Sequence, residues 1–200
     1  MAPQSIGISF VAAFGGALVS KTGRYKWTLV AGPALTVASL ILLTRIGPTT
    51  GGLDLAPLLI LNGFGLGLIF PNLTLTVQNA SPLHDLGIAT STANFFRSMG
   101  GAFGAAAAGA VVATKLDAEL LLRLGTSRLE EVGGAQGLIR TPRVVKDFAP
   151  ELRQPVVEAV SEAVVSIIWR AVPVMAIVLV LGLLTREKPL RTSSAIGGED

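Results

Sequence analysis

The apolar residues of this 200-residue chain run in long blocks, not at the short periods of a soluble helix or strand. A helix needs about 20 mainly apolar residues to cross the roughly 30 Å hydrocarbon core of a bilayer, with its backbone amides bonded internally. Four blocks meet this requirement, at residues 27–44, 56–79, 87–114 and 164–185, and a shorter fifth covers 2–20. The pattern predicts an all-α, polytopic membrane helix bundle.

The segments between these blocks differ in length. The loop 21–26 and the turn "SPLHDL" are short, which predicts antiparallel neighbours. Residues 115–163 form a long segment, in which "KLDAELLLRL" predicts an amphipathic continuation of the preceding helix and "VGGAQG" predicts a flexible break. We therefore expect a partial transmembrane domain over 1–186, no second hydrophobic core in the long segment, and a tail over 187–200.

Basic residues cluster at two places next to the predicted spans. One group fills the first short loop and the other follows the last span: Lys21, Arg24 and Lys26, then Arg186, Lys188 and Arg191. Four predicted spans separate the groups, so both lie on one side of the membrane, and the positive-inside rule makes that side cytoplasmic. The long segment carries basic residues of its own, but those closest to the membrane favour a cytoplasmic C-terminus and an extracytoplasmic segment 115–163.

Composition excludes several function classes. Half of the residues are hydrophobic and 14% are charged, and the mean hydropathy is +0.64, which is not a soluble composition. The net charge of +3 does not indicate nucleic-acid binding, because the basic residues lie between apolar blocks. With no cysteine, a lone His84 and no nucleophile beside a base, we expect no metal, no cofactor, no catalytic residue and no enzyme activity.

Polar residues on two predicted spans are candidates for a pathway or gate. Arg97 lies well inside its span, where an arginine at the centre costs about 2.5 to 3.5 kcal/mol, so it either faces a cavity or extends to the headgroups. Two sets share the helical spacing i, i+4, i+7: Thr90, Asn94 and Arg97, and Asn72, Thr76 and Asn79. We hypothesise that these stripes line the cytoplasmic end of a cavity.

Glycines recur at spacings that suit close helix packing. Gly100 and Gly101 each precede a small residue by four positions, at Gly104 and Ala105. In lipid, small residues at this spacing let helix backbones approach each other. Gly63 and Gly67 in "NGFGLGL" lie inside a predicted span, so they favour helix packing over a nucleotide-binding loop.

The stretch "GGALVSKTGRYKW" resembles the basic loop of major facilitator superfamily transporters, whose pattern is Gly-x-Leu-Ala-Asp-Arg-x-Gly-Arg-Arg/Lys. Ser20 occupies the position of the pattern's aspartate. The matching residues are Gly16, Leu18, Lys21, Gly23 and Arg24, with Lys26 close to the last basic position.

The stretch from "LILNGFGLGLIF" to "FFRSMGGAFGAAAAGAVV" is similar to the late spans of the fourteen-span drug:proton antiporter branch. In that branch a glycine-rich span ending in Gln-Asn precedes a helix with Phe-x-Arg-x-x-Gly-Gly. The corresponding residues are Gln78, Asn79, Phe95 or Phe96, Arg97, Gly100 and Gly101. The resemblance adds Gln78 to the pathway candidates.

The resemblance implies the C-terminal portion of a proton-coupled multidrug efflux transporter of the bacterial inner membrane. Its expected partners are the lipid bilayer, the N-terminal half of the transporter, small hydrophobic or amphipathic substrates and protons. Because alternating access requires two halves, we do not expect transport by this portion alone. Two alternatives stay open: a stand-alone small membrane protein that binds a transporter, and a major facilitator carrier with a different substrate or coupling.

Overall fold

A computed structural model describes residues 2–47, 50–131, 134–140, 145 and 148–185, and within these ranges the regular structure is helical. The all-α class is therefore confirmed. The predicted basic group after the last span lies outside the described residues, as does the tail 187–200. The helices are α1 (Ala2–Thr22), α2 (Lys26–Leu43), α3 (Gly52–Ala80), α4 (Leu86–Glu131), α5 (Gly134–Arg140) and α6 (Pro150–Leu184).

Three of the described helices, α2, α3 and α6, are long and apolar enough to cross a membrane. The apolar part of α1, Pro3–Val19, is shorter. The predicted span 87–114 is helical throughout within α4, but it is rich in glycine and alanine and contains Arg97, so it is less apolar than the other three. Its insertion in the bilayer stays a prediction.

Helix α3 packs between α1 and α2, and its glycines lie at the closest contacts. A β-carbon added at Gly67 would lie 2.8 Å from the carbonyl oxygen of Ile8 on α1. One added at Gly65 would lie 2.7 Å from the carbonyl oxygen of Gly32 on α2. These positions therefore have no room for a side chain, and the α3 backbone directly contacts the backbones of α1 and α2.

A second hydrophobic core lies between α4, α5 and α6, so our expectation of none in the long segment is wrong. It consists of Leu116, Leu120, Leu124, Ala135, Leu138, Val156, Ala159 and Ala163, all buried. The leucines recur every four residues and so share one face of α4. That face could be read from the sequence, but α5 and the first turns of α6, which cover it, could not.

Polar contacts hold this second core together at its edge. The Arg123 guanidinium of α4 lies 2.5 Å from carboxylate oxygens of both Glu158 and Glu162 on α6, and 3.5 Å from Glu119. Burial lowers the pKa of Arg123, but the nearby carboxylates outweigh burial, and the pKa is raised. Asp117 accepts a hydrogen bond from the Ala135 amide at 2.9 Å, which fixes α5 to α4.

The predicted break at "VGGAQG" spans the end of one helix and the start of the next. Helix α4 ends at Glu131, and α5 begins at Gly134, whose φ is +63°. Glycine adopts this left-handed conformation without the steric cost that other residues incur. Within the described residues, α5 thus starts at a left-handed glycine and continues as a helix to Arg140.

Candidate functional site

The basic loop forms a compact hairpin between α1 and α2. Gly23 has a φ of +67°, and its amide donates to the Val19 carbonyl at 2.8 Å, which closes α1. Tyr25 is buried, and the Thr28 hydroxyl donates to its carbonyl at 2.6 Å. Of the basic side chains, those of Lys21 and Arg24 are exposed, whereas Lys26 at the start of α2 is half-buried.

A cleft of about 360 Å³ opens between α1 and α3 beside this hairpin. No described atom lies within 4 Å of a β-carbon added at Gly16, so the missing side chain helps to keep the cleft open. Its described lining combines apolar, hydroxyl and amide groups without an ionisable one, which suits an uncharged or amphipathic molecule. The lining residues are Gly16, Val19, Pro71, Asn72, Thr74, Leu75 and Gln78.

Two of the predicted pathway residues of α3, Asn72 and Gln78, therefore line this cleft. Asn72 is 3% exposed, and its amide donates to the Leu68 carbonyl at 2.7 Å. The Thr76 hydroxyl donates to the Asn72 carbonyl at 2.7 Å. Thr76 and Asn79 are half-buried in the last turns of α3 and do not line the cleft.

The predicted stripe of α4 lies apart from this cleft. Arg97 donates to the side-chain oxygen of Asn94 at 2.7 Å, and both side chains are exposed, while Thr90 is half-buried. Among the described residues, the cleft is lined by α1 and α3 alone. The structure thus does not bring the two polar stripes together around one described cavity.

The predicted packing glycines occupy two different environments. Gly63 and Gly67 of α3 lie against the backbone of α1. By contrast, no described atom lies within 4 Å of a β-carbon added at Gly100, Gly101 or Gly104 of α4. This face of α4 is open within the described part of the chain.

A hydrogen-bonded chain that we did not predict from the sequence joins three helices. Gln4 of α1 donates through its side-chain amide to the Asn62 side-chain oxygen of α3 at 3.0 Å, and Asn62 donates to the Ser39 hydroxyl of α2 at 2.9 Å. Ser39 donates onward to the Thr36 carbonyl at 2.8 Å. Asn62 is the one amide in the apolar run "APLLILNGFGLGLIF", a signal that could have identified it.

We also missed Arg170, which lies six positions into the predicted last span. Its side chain is exposed, and the guanidinium contacts the Ser166 hydroxyl and donates to the Ser166 carbonyl at 3.2 Å. Trp169 beside it is also exposed. Tryptophan and arginine together are typical of a membrane interface.

In the described ranges, no group of three His, Cys, Asp or Glu residues could hold a metal ion.

Comparison with known proteins links the chain to a transporter family. The profile of the family described as Major Facilitator Superfamily matches residues 1–105. An uncharacterized MFS-type transporter of Mycobacterium tuberculosis (strain ATCC 25618 / H37Rv) is 36% identical over 188 residues, which cover 94% of this chain and 27% of the relative. No solved structure matches the chain.

Two other relatives are named as a multidrug transporter and as an efflux transporter. The multidrug transporter protein MdtP of Bacillus subtilis (strain 168) is 36% identical over 112 residues, covering 56% of this chain and 20% of that protein. An MFS-type efflux transporter, ffsH, of Aspergillus flavipes is 30% identical over 197 residues, covering 95% of this chain and 34% of that protein. The chain thus spans between 20% and 34% of the length of each of these relatives.

Proposed function

Since the chain belongs to the major facilitator superfamily, we propose that it forms the C-terminal part of a proton-coupled multidrug efflux transporter of the fourteen-span branch. The observation that carries this proposal is the cleft between α1 and α3, whose uncharged lining suits hydrophobic or amphipathic compounds. The relative named as an efflux transporter supports outward transport, and the relative named as a multidrug transporter supports drug-like substrates. The protein acts as a carrier, not as an enzyme.

The proposed topology is that of a multi-pass protein of the bacterial inner membrane. The hairpin with Lys21, Arg24 and Lys26 lies in the cytoplasm, where positive charge is favoured, and the C-terminus lies on the same side. The α1–α3 cleft then opens at the inner end of the bundle, beside this hairpin. The unit formed by α5 and the adjoining parts of α4 and α6 lies outside.

The proposed partners are the bilayer, the N-terminal half of the transporter, the exported compound and protons, and they include no nucleic acid. None of the predicted spans contains a carboxylate; Asp54 and Asp85 lie just outside them. A proton-coupling carboxylate would therefore be supplied by the N-terminal half. Transport also needs two halves that move about a central site, so this chain alone is inactive in our proposal.

We propose that the open face of α4 borders the transport pathway of the complete transporter. Thr90, Asn94 and Arg97 lie on this helix, and Asn94 is already bonded to the Arg97 guanidinium. A guanidinium oriented by a neighbouring amide in a span is a gate candidate when it borders water. We therefore assign Asn94 and Arg97 to the gate, and Asn72 and Gln78 to the cleft.

A second candidate function is a major facilitator carrier of anionic compounds. It is favoured by Arg97 and Arg170, two exposed arginines within predicted spans that contain no acidic residue. Arginine pairs with carboxylates and phosphates through parallel hydrogen bonds. The two candidates differ in the charge of the compound that leaves the cell.

A segment exchange tests both candidates. The part of MdtP from the start of the region that matches this chain to its C-terminus is replaced by the whole of this chain, in a bacterial host deficient in drug efflux. We expect the chimera to export ethidium, and we expect a protonophore to stop this export. Cells that produce this chain alone should export no ethidium. Export of an anionic dye but not ethidium would favour the second candidate. Export by this chain alone would contradict the requirement for an N-terminal half, and a stable chimera without any export would contradict both candidates.

A further inference from the structure

An apolar pocket lies in the unit formed by α4, α5 and α6, away from the α1–α3 cleft. Its volume is about 320 Å³, and every described residue that lines it is aliphatic. The walls come from three helices and from Val145. Its main lining residues are Val112 and Leu116 of α4, Leu138 and Ile139 of α5, and Val157 and Val160 of α6.

The pocket has firm walls because it adjoins the second hydrophobic core. Leu116 and Leu138 belong to both, and each is buried on its core side. Arg123 bridges α4 to Glu158 and Glu162 of α6. The hydrogen bond from the Ala135 amide to Asp117 holds α5 across the pocket. The helices are thus fixed by contacts that do not depend on a bound molecule.

The lining determines which molecule fits. Because no described side chain in the wall can form a hydrogen bond, a charged or strongly polar ligand would lose its hydration without compensation. The volume is near the lower end of the roughly 300–1,000 Å³ of small-molecule pockets, so the ligand is small.

We infer that this pocket is a binding site for a small, uncharged hydrophobic molecule of one or two rings. The site is separate from the α1–α3 cleft and lies at the opposite end of the predicted spans, where α4 and α6 leave the membrane. Ile139 is 48% exposed and forms its rim. The inference does not rest on transport activity, because it concerns binding to this chain.

The absence of cysteine from the sequence allows a direct test with single cysteines. The full chain is purified in detergent as Val160→Cys, and its modification by N-ethylmaleimide is timed with naphthalene as the probe. At about ten times its dissociation constant, naphthalene should leave about a tenth of the pockets free and slow modification about tenfold. Leu122→Cys, on the 80% exposed Leu122 of α4, should react at an unchanged rate.

Two further comparisons separate the pocket from general partitioning into the micelle. Naphthalene-2-sulfonate, the charged analogue, should not protect V160C. Adding Ile139→Trp at the rim should abolish protection by naphthalene, whereas Leu121→Trp, on an exposed residue outside the pocket, should preserve it.

The inference is overturned if V160C, with its helix content intact by circular dichroism, is not protected. It is equally overturned if the sulfonate protects as well as naphthalene, or if L122C is protected to the same degree. If V160C does not fold, Val157→Cys on the same wall takes its place. Failure of this binding test leaves the MdtP chimera experiment unaffected, so the two proposals can fail separately.

Discussion

The side-chain amide of Asn62 on α3 donates to the hydroxyl of Ser39 on α2 across 2.9 Å, in an environment where both residues are buried. The oxygen of the same amide accepts from Gln4 on α1. One side chain thus connects three helices at a level where their glycines bring the backbones into contact. In lipid, such a bond has few competitors, because no water replaces it.

Replacing Asn62 by leucine should destabilise the bundle. Gln4 loses its acceptor and Ser39 loses a donor, and an interhelical hydrogen bond in a membrane contributes about 0.6 to 1.7 kcal/mol. We expect a loss of about 1 kcal/mol in the free energy of unfolding. The loss can be measured by SDS titration of the protein in mixed micelles, with circular dichroism as the signal.

Asn94→Leu is the matched control, because Asn94 is an exposed amide bonded within its own helix. It should change the unfolding free energy little. The double variant N62L/S39A removes both bonding groups, so its loss should be smaller than the sum of the two single losses. Strictly additive losses would show that the bond between Asn62 and Ser39 contributes nothing.

Alanine at two glycines should have opposite effects on stability. A β-carbon at Gly65 would press on the Thr36 side chain and lie 2.7 Å from the Gly32 carbonyl oxygen, so Gly65→Ala forces α2 and α3 apart. Overpacking of this kind costs about 1–3 kcal/mol. Gly101→Ala meets no described atom within 4 Å and should instead stabilise α4 by about 0.5–1 kcal/mol. Both changes can be followed by thermal unfolding in detergent, and equal effects would contradict the contacts described for Gly65.

Much of the fold could be predicted because a membrane helix is identified from its own residues. Helix α3 was expected over 56–79 and extends over Gly52–Ala80. The difference lies at its ends, where Asp54 and the adjacent residues continue the helix beyond the apolar run. Hydropathy identifies the apolar part of a helix but not its last turns.

Contacts between helices could not be predicted in the same way. The leucines at 116, 120 and 124 form an apolar face, which predicts that another element covers it. The residues of α5 and α6 that do so follow more than ten residues later in the sequence, and the spacing of the leucines does not identify them. The bond between Asn62 and Ser39 likewise depends on how α2 and α3 are placed along each other. That placement follows from backbone contacts such as the one between Gly65 and Gly32. Spacing along one helix carries no such information.

Removing the charge of Arg123 should loosen α4 from α6. Arg123→Gln leaves Glu119, Glu158 and Glu162 close together without a cation. Because the site is partly exposed, we expect the free energy of unfolding to fall by about 1–2 kcal/mol. This value lies between the effect of losing an exposed ion pair and that of breaking a buried one. Arg153→Gln, at an exposed arginine of α6, is the control and should have little effect. High salt should reduce the difference between R123Q and wild type, because it screens the carboxylates.

The pH dependence of this contribution follows from the raised pKa of Arg123. A cation whose pKa is higher in the folded state stabilises fully below its unfolded pKa, and this stabilisation is lost as the pH rises through the folded value. Arginine titrates above about pH 12, so the difference between wild type and R123Q should stay constant from pH 7 to pH 10. A difference that falls steadily across this range would show that another titrating group carries the effect.

Cysteines at the two polar stripes should report on the proposed pathway. In the MdtP chimera freed of other cysteines, Thr76→Cys and Asn94→Cys are treated with a membrane-impermeant thiol reagent, with and without the exported compound. Asn94 is exposed on the open face of α4 and Thr76 is half-buried near the inner end of α3, so both should react in at least one transport state. Accessibility in one state but not the other would be expected of an alternating pathway.

Ile177→Cys is the control for this experiment, since Ile177 is an exposed apolar residue of α6 within a predicted span. If its exposed surface faces lipid, it should stay unmodified in every state, because the reagent does not enter the hydrocarbon core. If T76C and N94C were as unreactive as I177C with and without the compound, neither stripe would border water. The assignment of Asn94 and Arg97 to a gate would then fail, and an Arg97 side chain that extends to the headgroups would explain its place in the span.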